Sequence, residues 1–364
     1  MKKSMINGSV FLVVLFGLAL ANLFYTPPLV SQTERRTLKT MPELTVDTLV
    51  SGKFMREFEA YALDSFVGRD DFRAVKAQML FHVYQQKDNN GVYLADGHAA
   101  KLETENLAAI ARAVSKLNAM AALLPESVQL YYGIIPEKGY FLAEPNGYPP
   151  LDYAEIERLL AEGLPNMQGI DLKSAMDLDD YYRTDLHWDQ AKLATVVAYL
   201  GEELGFSTSW DYRQTSHPFL GVYAGQLALP LPTEGLTLLQ STVTDGLLVS
   251  YLDPKTGGMT PGELYRLEEL GNVDPYSVFL GGAQPLIVLE NPVAESEREL
   301  VIFRDSFSSS LAPLLAEGYS RITLVDLRYL SGRVLDQYAT ISDDADVLFL
   351  YGVQVVSNPE ILLV

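Results

Sequence analysis

Residues 300–308 read LVIFRDSFS, a buried-strand pattern that runs directly into a polar turn. The apolar run 300–303 predicts a strand, and the pattern after Phe307 predicts a helix over 307–316. Ser306 therefore stands at a strand-to-helix turn. Because ligands in open α/β sheets bind beyond the carboxyl ends of the strands, we expect Ser306 at the ligand-binding edge of such a sheet.

Strands and helices alternate along most of the chain. Further strands are predicted at 128–136, 169–172, 321–325 and 347–351, and further helices at 101–125, 153–161, 190–204 and 333–339. This alternation predicts an α/β fold with a parallel sheet and helices on both faces. Residues 206–291 do not follow this alternation of strands and helices, because they contain turn residues and short alternating runs. We therefore expect a β-rich insertion within a domain that spans 54–364.

The amino terminus carries a membrane-targeting pattern. Lys2 and Lys3 precede an apolar run at 10–25, and prolines follow at 27 and 28. We interpret residues 1–28 as a signal anchor or signal peptide and residues 29–53 as a tether. The run is shorter than the roughly 20 residues that span a bilayer, and Ala19-Leu20-Ala21 offers a cleavage site. An uncleaved anchor is favoured over a cleaved peptide, and in both cases the chain is exported.

Composition narrows the possible functions. The chain has 47 acidic and 27 basic side chains, a formal charge of −20, which disfavours nucleic acid as a ligand. It contains no cysteine, so disulfides, thiolate metal sites and a cysteine nucleophile are excluded. Its 4 histidines lack the paired spacing of a zinc site. We expect no metal and no cofactor.

A second motif, TDLHW at residues 184–188, places Asp185 two residues before His187. A carboxylate that holds one N–H of an imidazole leaves the other nitrogen free to accept a serine proton. Ser306, His187 and Asp185 are thus the parts of a serine acyl-transfer site. The simpler alternatives are that Asp305 or Ser306 only caps a helix, and that His187 is a packed core residue. Acidic residues crowd the histidine loop at 177, 179 and 180, which favours the functional interpretation.

Other residues are candidates for supporting roles. The Ser306 N–H opens a helix and is a candidate oxyanion donor, with Gly281 and Gly282 as candidates for a second donor. Arg328 and Tyr329 follow a strand and are candidate substrate contacts, although a surface pair between Arg328 and Asp326 is an equal alternative.

The motifs together suggest a family. Residues 182–188, YRTDLHW, resemble the signature of the DHHW proteins, which are similar to the SGNH-like domains of alginate O-acetyltransferases. Weaker matches are GVYLA at 91–95, IPEK at 135–138, YSVFLGG at 276–282, DSF at 305–307 and DLRYL at 326–330. The resemblance extends over nearly everything after the membrane segment.

The resemblance implies an SGNH-hydrolase-like fold with Ser306 as nucleophile, His187 as general base and Asp185 as the orienting carboxylate. It implies an extracytoplasmic O-acyltransferase that passes an acetyl group from a membrane-bound O-acyltransferase to a polysaccharide through an acyl-serine. Two positions depart from the pattern. Leu186 replaces a second histidine, and Arg304 replaces a glycine, where it either crowds the turn or offers a cation to an acidic ligand. Arg304 and Trp188 are further candidate substrate contacts.

Two other classes of function stay open. The same three residues with water as acceptor would make a carbohydrate O-acetyl esterase. A surface protein with a degenerate site would bind glycans or a partner without catalysis.

Overall fold

The computed structural model describes residues 2–364, with side chains from residue 7 onward. The chain divides into two compact units. The first contains the chain up to Asn90 together with Val222–Leu231, and the second contains Gly91–Gly221 together with Pro232–Val364.

The α-helices of the described residues are α1 Lys2–Phe24, α2 Val46–Val50, α3 Lys53–Asp64, α4 Arg69–Gln78, α5 Leu107–Ala121, α6 Gly139–Leu142, α7 Tyr153–Gly163, α8 Ala194–Leu204, α9 Val222–Leu227, α10 Thr242–Gly246, α11 Ser308–Leu311 and α12 Val353–Val356. One π-helical turn, Met79–Val83, extends α4. Turns of 3₁₀ helix lie at Glu144–Asn146, Leu172–Ala175, Leu178–Asp180, Gln190–Lys192, Leu267–Gly271, Pro275–Val278, Ala312–Leu315, Gly332–Gln337 and Pro359–Ile361.

The strands are β1 Val30–Ser31, β2 Arg36–Thr37, β3 Asp88–Asn89, β4 Val92–Ala95, β5 His98–Lys101, β6 Gln129–Ile135, β7 Gln168–Ile170, β8 Arg213–Phe219, β9 Glu234–Gln240, β10 Leu248–Leu252, β11 Met259–Gly262, β12 Leu286–Glu290, β13 Glu299–Arg304, β14 Arg321–Val325 and β15 Asp346–Gly352. In the second unit, β4 and β5 form an antiparallel hairpin, as do β8 and β9.

The second unit is built on an eight-stranded sheet in the order β11-β10-β12-β14-β13-β15-β6-β7. Strands β14, β13, β15, β6 and β7 run parallel to one another. Strands β12, β10 and β11 extend the sheet beyond β14, and each is antiparallel to its neighbours. The predicted α/β class is confirmed, and the sheet differs from the prediction in having this antiparallel extension.

Strand β13 shows why the sheet is covered on both faces. Its side chains alternate between the two faces of the pleat. Val301 and Phe303 belong to one apolar cluster, which includes α5 and α7 residues, whereas Leu300 and Ile302 belong to a second cluster with α8. All four side chains are buried. This two-sided burial matches the continuous apolar run from which the strand was predicted.

The region predicted as a β-rich insertion, 206–291, is divided among different parts of the fold. It supplies the β8–β9 hairpin and the antiparallel strands β10, β11 and β12 of the main sheet. The ten residues Val222–Leu231 instead belong to the first unit.

In the first unit, the segment expected as a tether has regular structure. β1 and β2 pair antiparallel, and Arg36 donates two hydrogen bonds to Asp64, at 2.8 and 2.6 Å. These hydrogen bonds lower the pKa of Asp64 to about 2. Arg73 donates to the Gly225 carbonyl at 2.9 Å. This bond links α4 to Val222–Leu231, the later segment of the first unit.

Helix α1 contains a stretch that could cross a membrane by length and composition. Residues Asn7–Phe24 have a mean hydropathy of 1.9 and none of their side chains is buried. The complete helix of 23 residues extends roughly 34 Å at about 1.5 Å per residue, which is more than a hydrocarbon core of about 30 Å.

Candidate active site

Ser306 lies where the sequence predicts it, in the turn between β13 and α11. Every other residue from Leu300 to Ala316 is buried, whereas Ser306 is partly exposed. Its hydroxyl is therefore the reactive group of this segment that solvent can reach.

Asp305 holds the serine turn. Its Oδ1 accepts a hydrogen bond from the Phe307 N–H at 3.0 Å, and its Oδ2 accepts one from the Gly352 N–H at 2.6 Å. The second bond ties the turn to the carboxyl end of the neighbouring strand β15. Asp305 thus fixes the turn before α11. The N-cap position of that helix is Phe307, so neither Asp305 nor Ser306 caps it, and the Ser306 side chain is available for another partner.

That partner is His187. The Ser306 Oγ lies 2.7 Å from His187 Nε2, and His187 Nδ1 lies 2.6 Å from Asp185 Oδ1. His187 is 5% exposed and Asp185 is fully buried. A buried carboxylate requires a proton donor, so we assign the Nδ1–H tautomer, in which Nε2 accepts the serine proton. The simpler interpretation of His187 as packed core does not fit this geometry.

These three side chains form the arrangement needed for nucleophilic catalysis by serine. The imidazole can take the hydroxyl proton, and the carboxylate can hold the imidazole in the required tautomer. Within residues 2–364, no group of three or more His, Cys, Asp or Glu side chains is placed to hold a metal ion.

Backbone contacts shape the loop that carries Asp185 and His187. The Tyr182 N–H donates to the His187 carbonyl at 3.1 Å, which closes a tight turn across both residues. The Asp185 Oδ1 also accepts from the His187 N–H at 3.1 Å. Lys138, buried directly after β6, donates from Nζ to the Tyr182 carbonyl at 3.0 Å. Burial lowers the pKa of Lys138 to about 8.

Glu234 holds the start of the same loop, and sequence reasoning missed it. Its carboxylate accepts from the N–H groups of Arg183 and Thr184, at 2.7 and 2.8 Å, and from the Thr184 hydroxyl. Gly221 donates its N–H to the Thr184 Oγ1 at 2.8 Å. A Cβ at Gly221 would collide with the Thr184 carbonyl and the Asp185 side chain, so only glycine fits there. Neither residue stands in a recognisable motif.

Sequence reasoning does not single out Tyr276 as a site residue, although Tyr276 begins the segment YSVFLGG at 276–282, which resembles the DHHW proteins. Its ring stacks on the His187 imidazole with centroids 3.7 Å apart. Its hydroxyl lies 2.8 Å from Ser310 Oγ. Ser310 Oγ also accepts from Trp188 Nε1 at 2.9 Å. The Ser310 hydroxyl therefore links Tyr276 to Trp188, the residue that follows His187.

Two of the acidic residues near the histidine, Asp177 and Asp180, have structural roles, contrary to the sequence-based interpretation. Asp177 and Asp180 form a reciprocal capping box around the turn Leu178–Asp180. Burial raises the pKa of Asp180 to about 6. Asp189 caps the next 3₁₀ turn, Gln190–Lys192, by accepting from the Ala191 N–H at 3.1 Å. The crowding of carboxylates here therefore reflects two caps in succession.

Trp188 and Arg304 do not have the geometry of substrate contacts. Trp188 is fully buried, and its Nε1 also donates to the Phe307 carbonyl at 3.0 Å. Arg304 is fully buried and donates to Ser309 Oγ at 2.6 Å and to the Gly282 carbonyl at 3.3 Å. Both side chains hold the serine turn from inside. Leu186 packs against the apolar cluster on the α8 face, so its departure from the family pattern leaves the site intact.

Arg328 and Tyr329 follow β14, the strand beside β13, at the carboxyl edge of the sheet. Arg328 donates to both carboxylate oxygens of Asp326, at 2.8 and 2.6 Å. The alternative of a pair between Arg328 and Asp326 is therefore confirmed, but it is not a surface pair, because Asp326 is fully buried. Arg328 keeps 23% side-chain exposure and Tyr329 is 54% exposed, so both side chains remain reachable.

Gly281 and Gly282 both have positive φ, 67° and 68°, in a turn where a side chain would be strained. The Gly282 N–H donates to the Phe279 carbonyl at 3.3 Å, so it is engaged within its own turn. The Gly282 N–H is therefore not free to act as the second oxyanion donor.

No protein-family model matches this chain, and no curated protein matches it significantly. Several solved structures share its fold. A DHHW family protein from Eubacterium siraeum is 20% identical with a TM-score of 0.61, over 75% of this chain and 94% of that chain. Bacillus cereus PatB1 is 20% identical with a TM-score of 0.59, over 75% of this chain and 99% of that chain.

A second structure of Bacillus cereus PatB1, which carries a sulfonyl adduct, is 19% identical with a TM-score of 0.57, over 75% of this chain and 98% of that chain. At these identities the similarity concerns the fold. It agrees with the resemblance to DHHW proteins that the sequence motifs suggest.

Proposed function

We propose that this chain is a serine-dependent O-acyltransferase that works outside the cytoplasm and transfers an acetyl group to a polysaccharide hydroxyl. The observation that carries the proposal is the hydrogen-bonded series Asp185–His187–Ser306, in which the serine is the exposed member. The sequence resemblance supports acetyl as the group and a polysaccharide as the acceptor.

The first half of the reaction acylates the serine. His187 Nε2 takes the Ser306 proton while Oγ attacks the carbonyl carbon of the acyl donor. The tetrahedral intermediate collapses as the bond to the leaving group breaks, and the imidazolium returns its proton to that group. The Ser306 N–H is our candidate donor to the oxyanion. The acyl-serine ester holds the acetyl group after the first product leaves.

The second half repeats these steps with a sugar hydroxyl. His187 accepts the hydroxyl proton, the sugar oxygen attacks the ester carbonyl, and Ser306 leaves with the proton returned by the imidazolium. Asp185 stabilises the imidazolium in both halves without becoming protonated itself. With water as the acceptor, the same steps would give an esterase.

The apolar helix α1 supports an exported location. Lys2 and Lys3 at its start favour a cytoplasmic amino terminus, which would place the remaining chain on the other side of the membrane. In that orientation a membrane-bound O-acyltransferase is a suitable acyl donor, because it would deliver acetyl groups at the outer surface. The membrane segment would keep the two proteins in one plane.

Acylation of Ser306 by 4-nitrophenyl acetate tests the proposal on the full-length chain in detergent. We expect a burst of nitrophenol and an acetyl group on the Ser306 peptide by mass spectrometry. Ser306→Ala and His187→Ala should each lose at least about 10³-fold in acylation rate. Ser115→Ala, on the exposed face of α5, is the matched control and should behave as wild type. Wild-type protein without an acetylated serine would overturn the proposal.

Sulfonyl reagents give a second test that needs no acetyl donor. Bacillus cereus PatB1, which shares the fold, has been obtained with a sulfonyl adduct. An activated serine hydroxyl attacks sulfonyl fluorides, whereas an ordinary surface serine does not. We expect phenylmethanesulfonyl fluoride to label Ser306 and to abolish the burst. Labelling that persists in His187→Ala at the wild-type rate would contradict activation by the imidazole.

A further inference from the structure

A small pocket lies between the β4–β5 hairpin and the segment that follows β6. Its lining includes the polar residues Tyr93, Lys101, Glu103 and Glu137, together with Tyr140 and two prolines, Pro149 and Pro150. The cavity measures about 10 Å³, which is room for about one water molecule or one hydroxyl group.

Tyr93 presents an unsatisfied hydroxyl to this pocket. The residue is 1% exposed, and no partner for its hydroxyl lies within hydrogen-bonding distance among the residues that the structure describes. Its ring is fixed by stacking on Tyr148, with centroids 3.9 Å apart. Leaving a buried hydroxyl without a partner is costly, so a polar group that enters the pocket gains a pre-positioned hydrogen bond.

Glu137 provides a second polar group with a defined character. It is 3% exposed, and its N–H donates to the Tyr153 hydroxyl at 2.9 Å. Burial raises the pKa of Glu137 to about 8, so its carboxyl group is mainly neutral at pH 7. A neutral carboxyl group both donates and accepts hydrogen bonds, as an alcohol does. The two charged residues of the lining, Lys101 and Glu103, pair with each other at 3.5 Å. The pocket therefore suits an uncharged hydroxyl better than a cation or an anion.

The pocket lies at the same edge of the sheet as the nucleophile. Glu137 follows the carboxyl end of β6, which pairs with β15, and β15 pairs with the serine strand β13. Two strand spacings separate β6 from β13, roughly 10 Å. Residues next to Glu137 also contact the histidine loop, since the Pro136 carbonyl accepts from the Tyr181 hydroxyl at 2.5 Å.

We infer that this pocket is a subsite of the carbohydrate acceptor, which takes one hydroxyl of a sugar neighbouring the one that is acylated. The inference rests on the proposed function. The hydroxyl would bond to Tyr93 and Glu137, and the 40% exposed ring of Tyr140 would lie against the apolar face of that sugar.

The experiment measures how the acetyl-enzyme is divided between carbohydrate and water. Full-length protein in detergent is acetylated with 4-nitrophenyl acetate in the presence of cellopentaose, chitopentaose or maltopentaose, and acetylated sugar and free acetate are quantified. The variant is Tyr93→Phe, which removes only the hydroxyl. Tyr351→Phe is the matched control, because that hydroxyl is also buried without a partner but does not line the pocket.

We expect Tyr93→Phe to acylate Ser306 within about twofold of the wild-type rate while the ratio of transfer to hydrolysis falls roughly tenfold, as for one lost hydrogen bond. Tyr351→Phe should leave both quantities unchanged. The subsite is overturned if Tyr93→Phe keeps the wild-type ratio, including the case where only its thermal stability changes, which would indicate a structural water in the pocket. It is also overturned if none of the three carbohydrates intercepts the acetyl-enzyme.

Failure of the proposed function would look different from failure of the subsite. Wild-type protein would then form no acetyl-serine at all, and both proposals would be overturned together. Normal acylation with unaltered partitioning in Tyr93→Phe would remove the subsite alone.

Discussion

The imidazole of His187 and the phenol ring of Tyr276 lie face to face, with centroids 3.7 Å apart and planes inclined by 4°. Tyr276 comes from the 3₁₀ turn Pro275–Val278 and is buried. Its hydroxyl contact with Ser310 fixes the ring from the far side. The stack therefore fixes the plane of the imidazole, so that Nδ1 can bond to Asp185 and Nε2 can bond to Ser306.

Removing the Tyr276 ring should impair acylation without removing any of the three reacting groups. We expect Tyr276→Leu to lower the rate of Ser306 acylation by roughly 10- to 100-fold, because a misaligned imidazole loses most of the rate gain that comes from its correct orientation. Tyr276→Phe keeps the ring and should remain within about threefold of wild type. The burst rate with 4-nitrophenyl acetate measures both. Equal losses in the two variants would show that the hydroxyl contact matters and the stack does not.

Replacing the carboxylate of Asp185 with an amide should strongly lower the rate of Ser306 acylation, although the two groups are nearly the same size. Asp185→Asn keeps the shape of the side chain, but an amide can present its N–H to Nδ1 and favour the tautomer that cannot accept the serine proton. We expect acylation to fall by roughly 10³- to 10⁴-fold. Asp211→Asn, an exposed position, is the matched control. Activity within tenfold of wild type in Asp185→Asn would contradict the assigned role.

Gly221 offers a steric test of the loop that carries Asp185. A methyl group there would push against the Thr184 carbonyl and the Asp185 side chain. We expect Gly221→Ala to destabilise the protein by about 1–3 kcal/mol and to slow acylation, because the loop must move to admit the methyl group. Gly246→Ala is the control, since a Cβ built there has no atom within 4 Å beyond its chain neighbours and the backbone of its own helix, α10. Thermal denaturation and the burst assay check the two effects, and a Gly221→Ala protein with wild-type values in both would contradict the steric argument.

The residues that meet in the site were predictable because each lies in a short local pattern. The apolar strand 300–303 and the turn after it locate Ser306, and the spacing of Asp185 and His187 indicates their pairing. The parallel strands were predictable for the same reason, since a continuous apolar run indicates a strand buried on both faces.

What could not be predicted depends on contacts between distant segments. Tyr276 and Glu234 reach the histidine loop from a region that does not alternate strands and helices. Tyr276 lies in a segment that resembles the DHHW proteins, but nothing local indicates its contact with His187, and no motif marks Glu234. Likewise, β10 and β12 pair antiparallel with the sheet, and direction leaves little trace in a single strand. The helix predicted over 307–316 is shorter in the structure, since α11 ends at Leu311 and a 3₁₀ turn containing Pro313 follows.

Membrane attachment through α1 gives a prediction that does not depend on catalysis. We expect the full-length chain to stay in the membrane fraction after washing with high salt and alkaline carbonate, because a hydrophobic helix resists both. Replacing Leu15 and Phe16, near the middle of α1, with arginine should release the protein or block its export. Immunoblots of the fractions measure this. Recovery of wild-type protein in the soluble fraction without residues 1–21, as expected for cleavage after Ala19-Leu20-Ala21, would instead indicate a cleaved signal peptide.

The buried carboxyl group of Glu137 predicts how stability changes with pH. Burial raises its pKa from an ordinary value of 4.5 to about 8, with the Glu103 charge acting in the same direction and Lys138 and Lys101 opposing it. Between these two values the folded state binds more protons than the unfolded state, so the contribution of Glu137 is complete below pH 4.5 and is lost as the pH rises towards about 8. The loss is at most about 1.4 kcal/mol per pH unit.

Glu137→Gln removes this titration while keeping the size of the side chain. We therefore expect wild-type protein to lose more stability than Glu137→Gln when the pH is raised from about 5 to about 8, by at least about 1 kcal/mol. Urea denaturation of both proteins at the two pH values measures the difference, and titrations shared by both proteins cancel in the comparison. Parallel losses in the two proteins would mean that the Glu137 carboxyl group titrates as it does in the unfolded chain. The pocket beside Tyr93 would then hold an ionised carboxylate at pH 7 instead of a neutral carboxyl group.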